Sequence, residues 1–185
     1  MSGEGLQPGG RPPAPDELGL VQAFINTHYD LVHEHGAEVL ASPETLCAWL
    51  AGHGLIDEDA PTSERDLRRT LALREALRKL ASGDGDARAL APLEATIEIR
   101  LGQSGPRLEP IDAGTVDGAL AALVAIVARE MLTGRWSRLK ICPGDDCGWA
   151  FYDSSRNRTG RWCSMSVCGG RAKARAHYQR QRGPG

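Results

Sequence analysis

The chain has 185 residues, 41% hydrophobic and 25% charged. That balance is close to the soluble globular average, which excludes wholesale disorder and allows one domain with a small appendage. It has no run of eighteen apolar residues, and its first residues, MSGEGLQPGGRPPAPDE, lack a basic segment followed by an apolar core; neither a membrane span nor a secretory signal is expected. The net charge of −2 conceals a split. Residues 1–134 carry eleven Lys and Arg against twenty-one Asp and Glu, a net of −10, whereas residues 135–185 carry eleven against three, a net of +8. An acidic body with a basic tail points to a polyanionic partner, the plainer alternative being that the two halves attract each other.

Residues 1–15 hold four glycines and four prolines and almost nothing to bury, and read as a disordered arm. From Leu18 the apolar residues Leu18, Val21, Phe24, Ile25 and Leu31 recur at helical spacing, predicting a helix to about Tyr29. Ser42-Pro43-Glu44 is an N-cap and first-turn sequence for a helix bearing Leu46, Trp49 and Leu50, ended by Gly52 and Gly54. Ser63 caps a long helix to about Leu80, with Asp66 in the place where a capping box has Glu or Gln. Its Leu67, Leu71, Leu73, Leu77 and Leu80 form a broad apolar arc. A short helix from Ala87 to about Ile97 is expected next, then a β-hairpin pairing Ile97–Leu101 with Arg107–Ile111 across a Gly102–Gly105 turn. Thr115 or Asp117 opens an apolar helix from Ala119 to Leu132 that closes on Gly134. Residues 16–134 thus read as a mainly α domain with one small β-hairpin, and no internal repeat.

Four of the five cysteines crowd into residues 142–168. Cys142 and Cys147 form one C-x₄-C pair and Cys163 and Cys168 a second, fifteen residues apart. Two such half-sites, each in a tight turn, place four thiolates tetrahedrally around Zn²⁺. Gly144 and Asp145 suit the first turn, and Gly169 and Gly170 clear space for backbone N–H groups to approach the sulfurs. Strand alternation puts Trp149 and Phe151 on one face, which with Trp162 makes a compact apolar wall. A unit this small buries too little surface to fold alone, so a structural metal makes thermodynamic sense. Four thiolates leave no position for water, which argues against a catalytic metal. Buried or disulfide-paired cysteines are the plainer alternative; an odd, clustered count in a chain read as cytoplasmic favours metal.

Beyond Cys168, GGRAKARAHYQRQR reads as a slim basic helix. Arg171, Arg175, Tyr178 or Gln179, and Arg182 make one stripe, and Lys173, His177 and Arg180 its neighbour. Such a helix on a zinc module fits a DNA major groove. Arg156, Arg158 and Arg161, with Asn157 and Thr159, suit phosphates. A solvated basic tail is the alternative.

This stretch resembles the CGNR zinc finger. It has that family's C-x₄-C-G-W-x-F-x-D-x-S segment (Cys142, Cys147, Gly148, Trp149, Phe151, Asp153, Ser155), its R-W-C-S-M element (Arg161 to Met165) and its C-G-x-R-x-K-x-R ending (Cys168, Gly169, Arg171, Lys173, Arg175). The signature Asn of the motif is replaced by Gly170. Upstream, the F-I-N-T segment (Phe24 to Thr27), S-P-E-T-L-C-A-W-L and L-A-L-R-E-A-L resemble the ABATE domain, which commonly precedes a CGNR finger. Ala23 stands where that family usually has Asp. The resemblance implies a stress-response transcription regulator.

Arg74 lies near the apolar arc, where a guanidinium must be paired. With Asn26 and Thr27 it outlines a ligand pocket, although pairing with a core carboxylate and helix-end hydrogen bonding explain the same residues more simply. His28, His33 and His35 stand near Glu34 and Glu38, but the i, i+2 spacing of His33 and His35 argues against a shared metal. Cys47 reads as a small buried apolar residue. No nucleotide, hydrolase or metalloprotease motif occurs, so no enzyme is expected. The sequence is therefore read in three parts. A disordered arm (1–15) precedes a mostly helical ABATE-like domain (16–134) that senses an effector or contacts a partner. A four-cysteine zinc finger of β-hairpin and basic helix (135–182) then binds DNA. A protein- or RNA-interaction module and a small-molecule-binding domain with a scaffold finger are the rivals. The oligomeric state is left open.

Overall fold

The computed structural model describes residues 7–29, 37–84, 94–103, 105–144 and 147–182. Five α-helices carry the architecture: α1 (Leu18–Ile25), α2 (Pro43–Gly52), α3 (Glu64–Ser82), α4 (Val116–Leu132) and α5 (Gly170–Arg182). Six short strands pair antiparallel two by two: β1 (His28–Tyr29) with β2 (Ala37–Glu38), β3 (Ile97–Gly102) with β4 (Gly105–Pro110), and β5 (Leu139–Ile141) with β6 (Ala150–Tyr152). The fold is mainly α with small hairpins.

The helix starts follow from the sequence. Ser42 Oγ accepts the Thr45 N–H, and Thr45 Oγ1 accepts the Ser42 N–H at 2.9 Å, closing a capping box on α2. Ser63 and Asp66 close the same box on α3, the shorter Asp carboxylate receiving the Ser63 N–H at 3.0 Å. Gly83 ends α3 at φ +82°, a left-handed conformation that a side chain would resist. Thr115 caps α4.

α1, α3 and α4 pack around one core containing Leu18, Phe24, Leu73, Leu77 and Leu123. Leu67 completes the buried part of the arc on α3, while Leu71 and Leu80 are only half-buried against it. Trp136, Leu139 and Ala150, all beyond residue 134, belong to this same core. The finger hairpin is therefore built into the body. At the junction Arg135 forks onto Glu130, two contacts of 2.7 Å to a carboxylate that is 1% exposed.

Three expectations change. α1 ends at Ile25, because the chain turns at Asn26 and Thr27 and enters β1 at His28; Leu31 lies outside the described residues. The short helix expected from Ala87 falls mostly on residues 87–93, outside the described residues, and its last member, Ile97, opens β3. The arm expected to be disordered is packed over residues 7–15. Gln7 Oε1 accepts from the Trp149 indole N–H and from Gln22, both at 2.9 Å. Arg11 donates to the carbonyls of Cys163 (2.7 Å) and Trp162 (3.0 Å) and lies over the Phe151 ring. Ala14 is buried, its N–H bound to Gln22. Glycine and proline composition describes what the arm cannot bury by itself; here Gln7, Arg11 and Gln22 fasten it to the body and to the distant finger.

Candidate metal centre

β6 is the seam from which the site is built. Its alternation sends Phe151, with Trp149 just before the strand, towards the cysteines, and Ala150 towards the body core, as period-2 geometry requires. The Cys142–Cys147 turn is closed by the Cys142 N–H on the Trp149 carbonyl at 2.9 Å and the Cys147 N–H on the Gly144 carbonyl at 3.0 Å. Asp145, expected in that turn, lies outside the described residues. Cys163 stands two residues before a wide π-helical turn, Met165–Gly169, that carries Cys168 within it; Ser164 Oγ caps the turn by accepting the Val167 N–H, and the turn runs directly into α5.

The four Sγ atoms all lie within 4.8 Å of one another, and each of these four cysteines is at least 96% buried. Cys163 Sγ stands 3.6 Å from both Cys147 and Cys168. Four sulfurs bound tetrahedrally to zinc at about 2.3 Å would stand about 3.8 Å apart. That separation is far beyond a disulfide, and all four are free thiols. The geometry fits a tetrahedral cation. Hydrogen bonds from the Cys147 and Cys163 thiols, with N–H groups of Cys163 and Gly144, push Cys142 down to about 2. Cys147, as the donor to Cys142, is pushed up to about 12, and Cys163 is raised because it donates to Cys142 and Cys147. A divalent cation competes for these sites with protons.

The glycine that serves the sulfurs is Gly144. A Cβ there would meet Cys147 Cβ and Cys168 Sγ at 3.3 Å. Gly169 is constrained instead by Met165 and Trp162, and Gly170 has only the Met165 carbonyl, at 3.5 Å, near its missing side chain. The position that replaces the signature Asn thus has room for a side chain and lies at φ −63°.

A second device, absent from the candidate site residues, shapes the loop between the cysteine pairs. Asp153 is fully buried and accepts from Lys140 Nζ at 2.7 Å, the Gly160 N–H at 2.8 Å and the Ser155 N–H at 3.1 Å. Burial alone would raise its pKa, but these donors hold the carboxyl well below the usual carboxylate range. Lys140 also reaches the carbonyls of Arg158 (2.6 Å) and Gly160 (3.0 Å), and Arg138 those of Asp153 and Ser155. The motif Asp marked Asp153 in the sequence, but nothing there indicated that Lys140 would meet it.

That clasp presents Arg156, Arg158 and Arg161 to solvent, Arg158 at φ +53°. On α5, Lys173, Arg175 and Arg180 are exposed and Arg171 is half-buried. Among the described residues, no carboxylate lies within ion-pair distance of Arg156, Arg158, Arg161, Arg171, Lys173 or Arg180, so body and basic tail do not neutralise each other there.

The structure brings Asn26, Thr27 and Arg74 together but uses their polar groups internally. Arg74, 3% exposed, forks onto Glu38 at 2.6 and 2.7 Å and donates to Thr27 Oγ1 at 3.1 Å and Glu75 at 3.0 Å. Thr27 donates to the Phe24 carbonyl and Asn26 bonds the Ala150 N–H and C=O. These residues brace the fold, Arg74 on the half-buried carboxylate of Glu38 and Asn26 on a docked strand. Arg78 adds to the brace, reaching the carbonyls of Ile25 and His28 at 2.7 Å and that of Gly148. Glu38, spent on Arg74, is not available to a metal with His28, and His33, Glu34 and His35 lie outside the described residues. Cys47 is half-buried, its thiol directed at the Glu58 and Ala60 carbonyls.

No helix among the described residues is long and apolar enough to cross a membrane. Residues 18–135 match the ABATE family model, described as "Putative stress-induced transcription regulator", and residues 138–181 match the CGNR zinc finger. Among curated proteins none matches the chain. The ABATE match spans well over half of the sequence, so the chain belongs to the ABATE family and carries a CGNR zinc finger directly behind that domain.

Proposed function

We propose that the protein is a DNA-binding transcription regulator, with Zn²⁺ held by Cys142, Cys147, Cys163 and Cys168. The observation that carries this reading is the direct continuation of the cysteine cluster into α5, a helix whose exposed face is basic and without carboxylate partners at Arg171, Lys173 and Arg180 among the described residues. When bound, zinc fixes the turn from which α5 starts. Arg171, Lys173, Arg175 and Arg180 then meet DNA, and the clasped loop of Arg156, Arg158 and Arg161 holds backbone phosphates.

The closed shell of four sulfurs supports a structural rather than a catalytic metal, and with it a regulator rather than an enzyme. The N-terminal domain serves as the frame that aims the finger, because its Asn26, Gln22 and Arg78 bind the finger's backbone, while Gln7 of the preceding arm binds Trp149. An effector or partner acting on the body would be felt at α5 through these contacts.

The test is capture of sheared genomic DNA by zinc-loaded protein at near-physiological salt, with sequencing of what is retained. A few enriched loci sharing a motif support a specific regulator. Retention without a shared motif reduces α5 to a phosphate-binding tail with a steep salt slope. No retention overturns the DNA reading in favour of a protein partner.

A further inference from the structure

The β3–β4 hairpin is a two-stranded sheet standing on α4, and among the described residues β3 pairs with β4 alone. A lone hairpin is marginal in water, and a free edge offers a row of unpaired N–H and C=O groups. One face of β3 carries Ile97, Ile99 and Leu101, of which Ile99 is 65% and Leu101 84% exposed. The other face carries Glu98 and Arg100.

The charged face is poorly matched to β4. The register sets Glu98 opposite Glu109 and Arg100 opposite Arg107. Like charges directly opposite destabilise a strand pair, and here relief comes from the diagonal Arg100–Glu109 contact at 2.9 Å and the contacts along each strand. A second copy of β3 is the better match. Antiparallel pairing centred on Ile99 places Ile99 against itself, Ile97 against Leu101, and Glu98 against Arg100 twice over. Every apolar residue meets an apolar one and every charge its opposite. The segment Ile97-Glu98-Ile99-Arg100-Leu101 is self-complementary about its middle residue, which is what an isologous two-fold interface demands.

We infer that this chain forms a homodimer by edge-to-edge pairing of β3 with its own copy, giving a four-stranded sheet in the order β4-β3-β3-β4. The inference does not depend on DNA binding. If the finger does bind DNA, the two-fold axis would give the pair of fingers a symmetric site.

The test is sedimentation of the full chain across about 1–100 µM, with three charge variants and one at the axis. The wild type is expected to sediment as a dimer at the upper end. Glu98→Arg and Arg100→Glu each set like charges opposite across the axis, twice, and are expected to weaken dimerisation about tenfold. Within one chain each exchange turns a like pair with β4 into an opposite pair but gives up the Arg100–Glu98 contact, and Arg100→Glu the Arg100–Glu109 contact as well, so melting temperature at low concentration is read alongside to separate folding from association. The double exchange Glu98→Arg/Arg100→Glu restores complementarity and should restore the dimer. Ile99→Lys, which sets two ammonium groups on the axis, should give a monomer. A monomeric wild type at the highest concentration overturns the proposal. So does a dimer indifferent to Ile99→Lys, or a double variant no better than the singles.

Discussion

Asn26 pairs with Ala150 as a neighbouring strand would, Nδ2 donating to the carbonyl at 2.9 Å and Oδ1 accepting the N–H at 2.8 Å. One side chain at the end of α1 thereby holds the strand on which the metal centre is built. In Asn26→Leu the buried Ala150 N–H loses its partner, while the carbonyl keeps Gln22 at 3.0 Å. An orphaned buried donor costs about 1–3 kcal/mol. The melting temperature should fall by about 2–12 °C, read by calorimetry on the zinc-loaded protein. An unchanged transition would mean that the pair adds nothing to docking.

Gly160 has no room for a side chain, since a Cβ there would stand 2.7 Å from Asp153 Oδ1 and 2.9 Å from Oδ2. The carboxylate cannot retreat without giving up Lys140 and two N–H donors. Gly160→Ala is therefore expected to destabilise the finger by about 2–4 kcal/mol. Gly170→Ala, at a helical φ and with its nearest neighbour at 3.5 Å, should stabilise by about 0.4–1 kcal/mol. Denaturant titration of the two variants checks the contrast. Equal effects would show that glycine is needed at both positions for some reason other than the missing Cβ.

The same carboxylate sets a pH dependence. Its folded pKa is depressed, so its contribution to stability is fully present above the unfolded value near 4 and is lost as pH falls through the folded value. Wild type and Asp153→Asn, compared by melting temperature, should differ most above about pH 5 and converge as the pH drops below about 4. A gap that stays constant down to about pH 2 would place the effect of the substitution in shape rather than charge.

Much of this architecture is legible in local sequence. Ser42, Ser63 and Thr115 announce their helices because a cap needs only residues three positions away. The two C-x₄-C pairs announce the candidate metal centre because each pair is a local turn, and the four sulfurs converge to within 4.8 Å of one another. Arg11, Arg78 and Lys140 gave no such signal. Each of them reaches across to a backbone carbonyl, that of Cys163, Gly148 and Gly160 respectively. Every residue has a carbonyl, so sequence cannot specify which one a long cation will find. Arg74 did signal its need for a partner, and that partner is Glu38 on the β1–β2 pair rather than a ligand.

Thr70 is fully buried on α3, and its hydroxyl is the one buried side-chain polar atom without a hydrogen-bond partner among the described residues. Removing an unsatisfied hydroxyl while keeping the branched shape removes a desolvation cost without opening a cavity. Thr70→Val should raise stability by about 1 kcal/mol, or about 2–4 °C in melting temperature. A loss instead would show that the hydroxyl finds a partner in solution.

Because Trp136, Leu139 and Ala150 sit in the body core while Phe151 lies against the cysteines, metal and body should unfold together. A cation bound only by the folded state adds about 1.4 kcal/mol per tenfold rise in its free concentration. In zinc buffers the single melting transition of the whole chain should therefore rise by about 3–6 °C per decade of free Zn²⁺. Cys142→Ser removes one of four ligands and should flatten that slope over the same range, with loss of stoichiometric zinc. Cys47→Ser, outside the cluster, should keep it. Two separate transitions, only one of them following zinc, would show that the hydrogen bonds of Asn26, Gln22 and Arg78 to the finger do not couple it to the body.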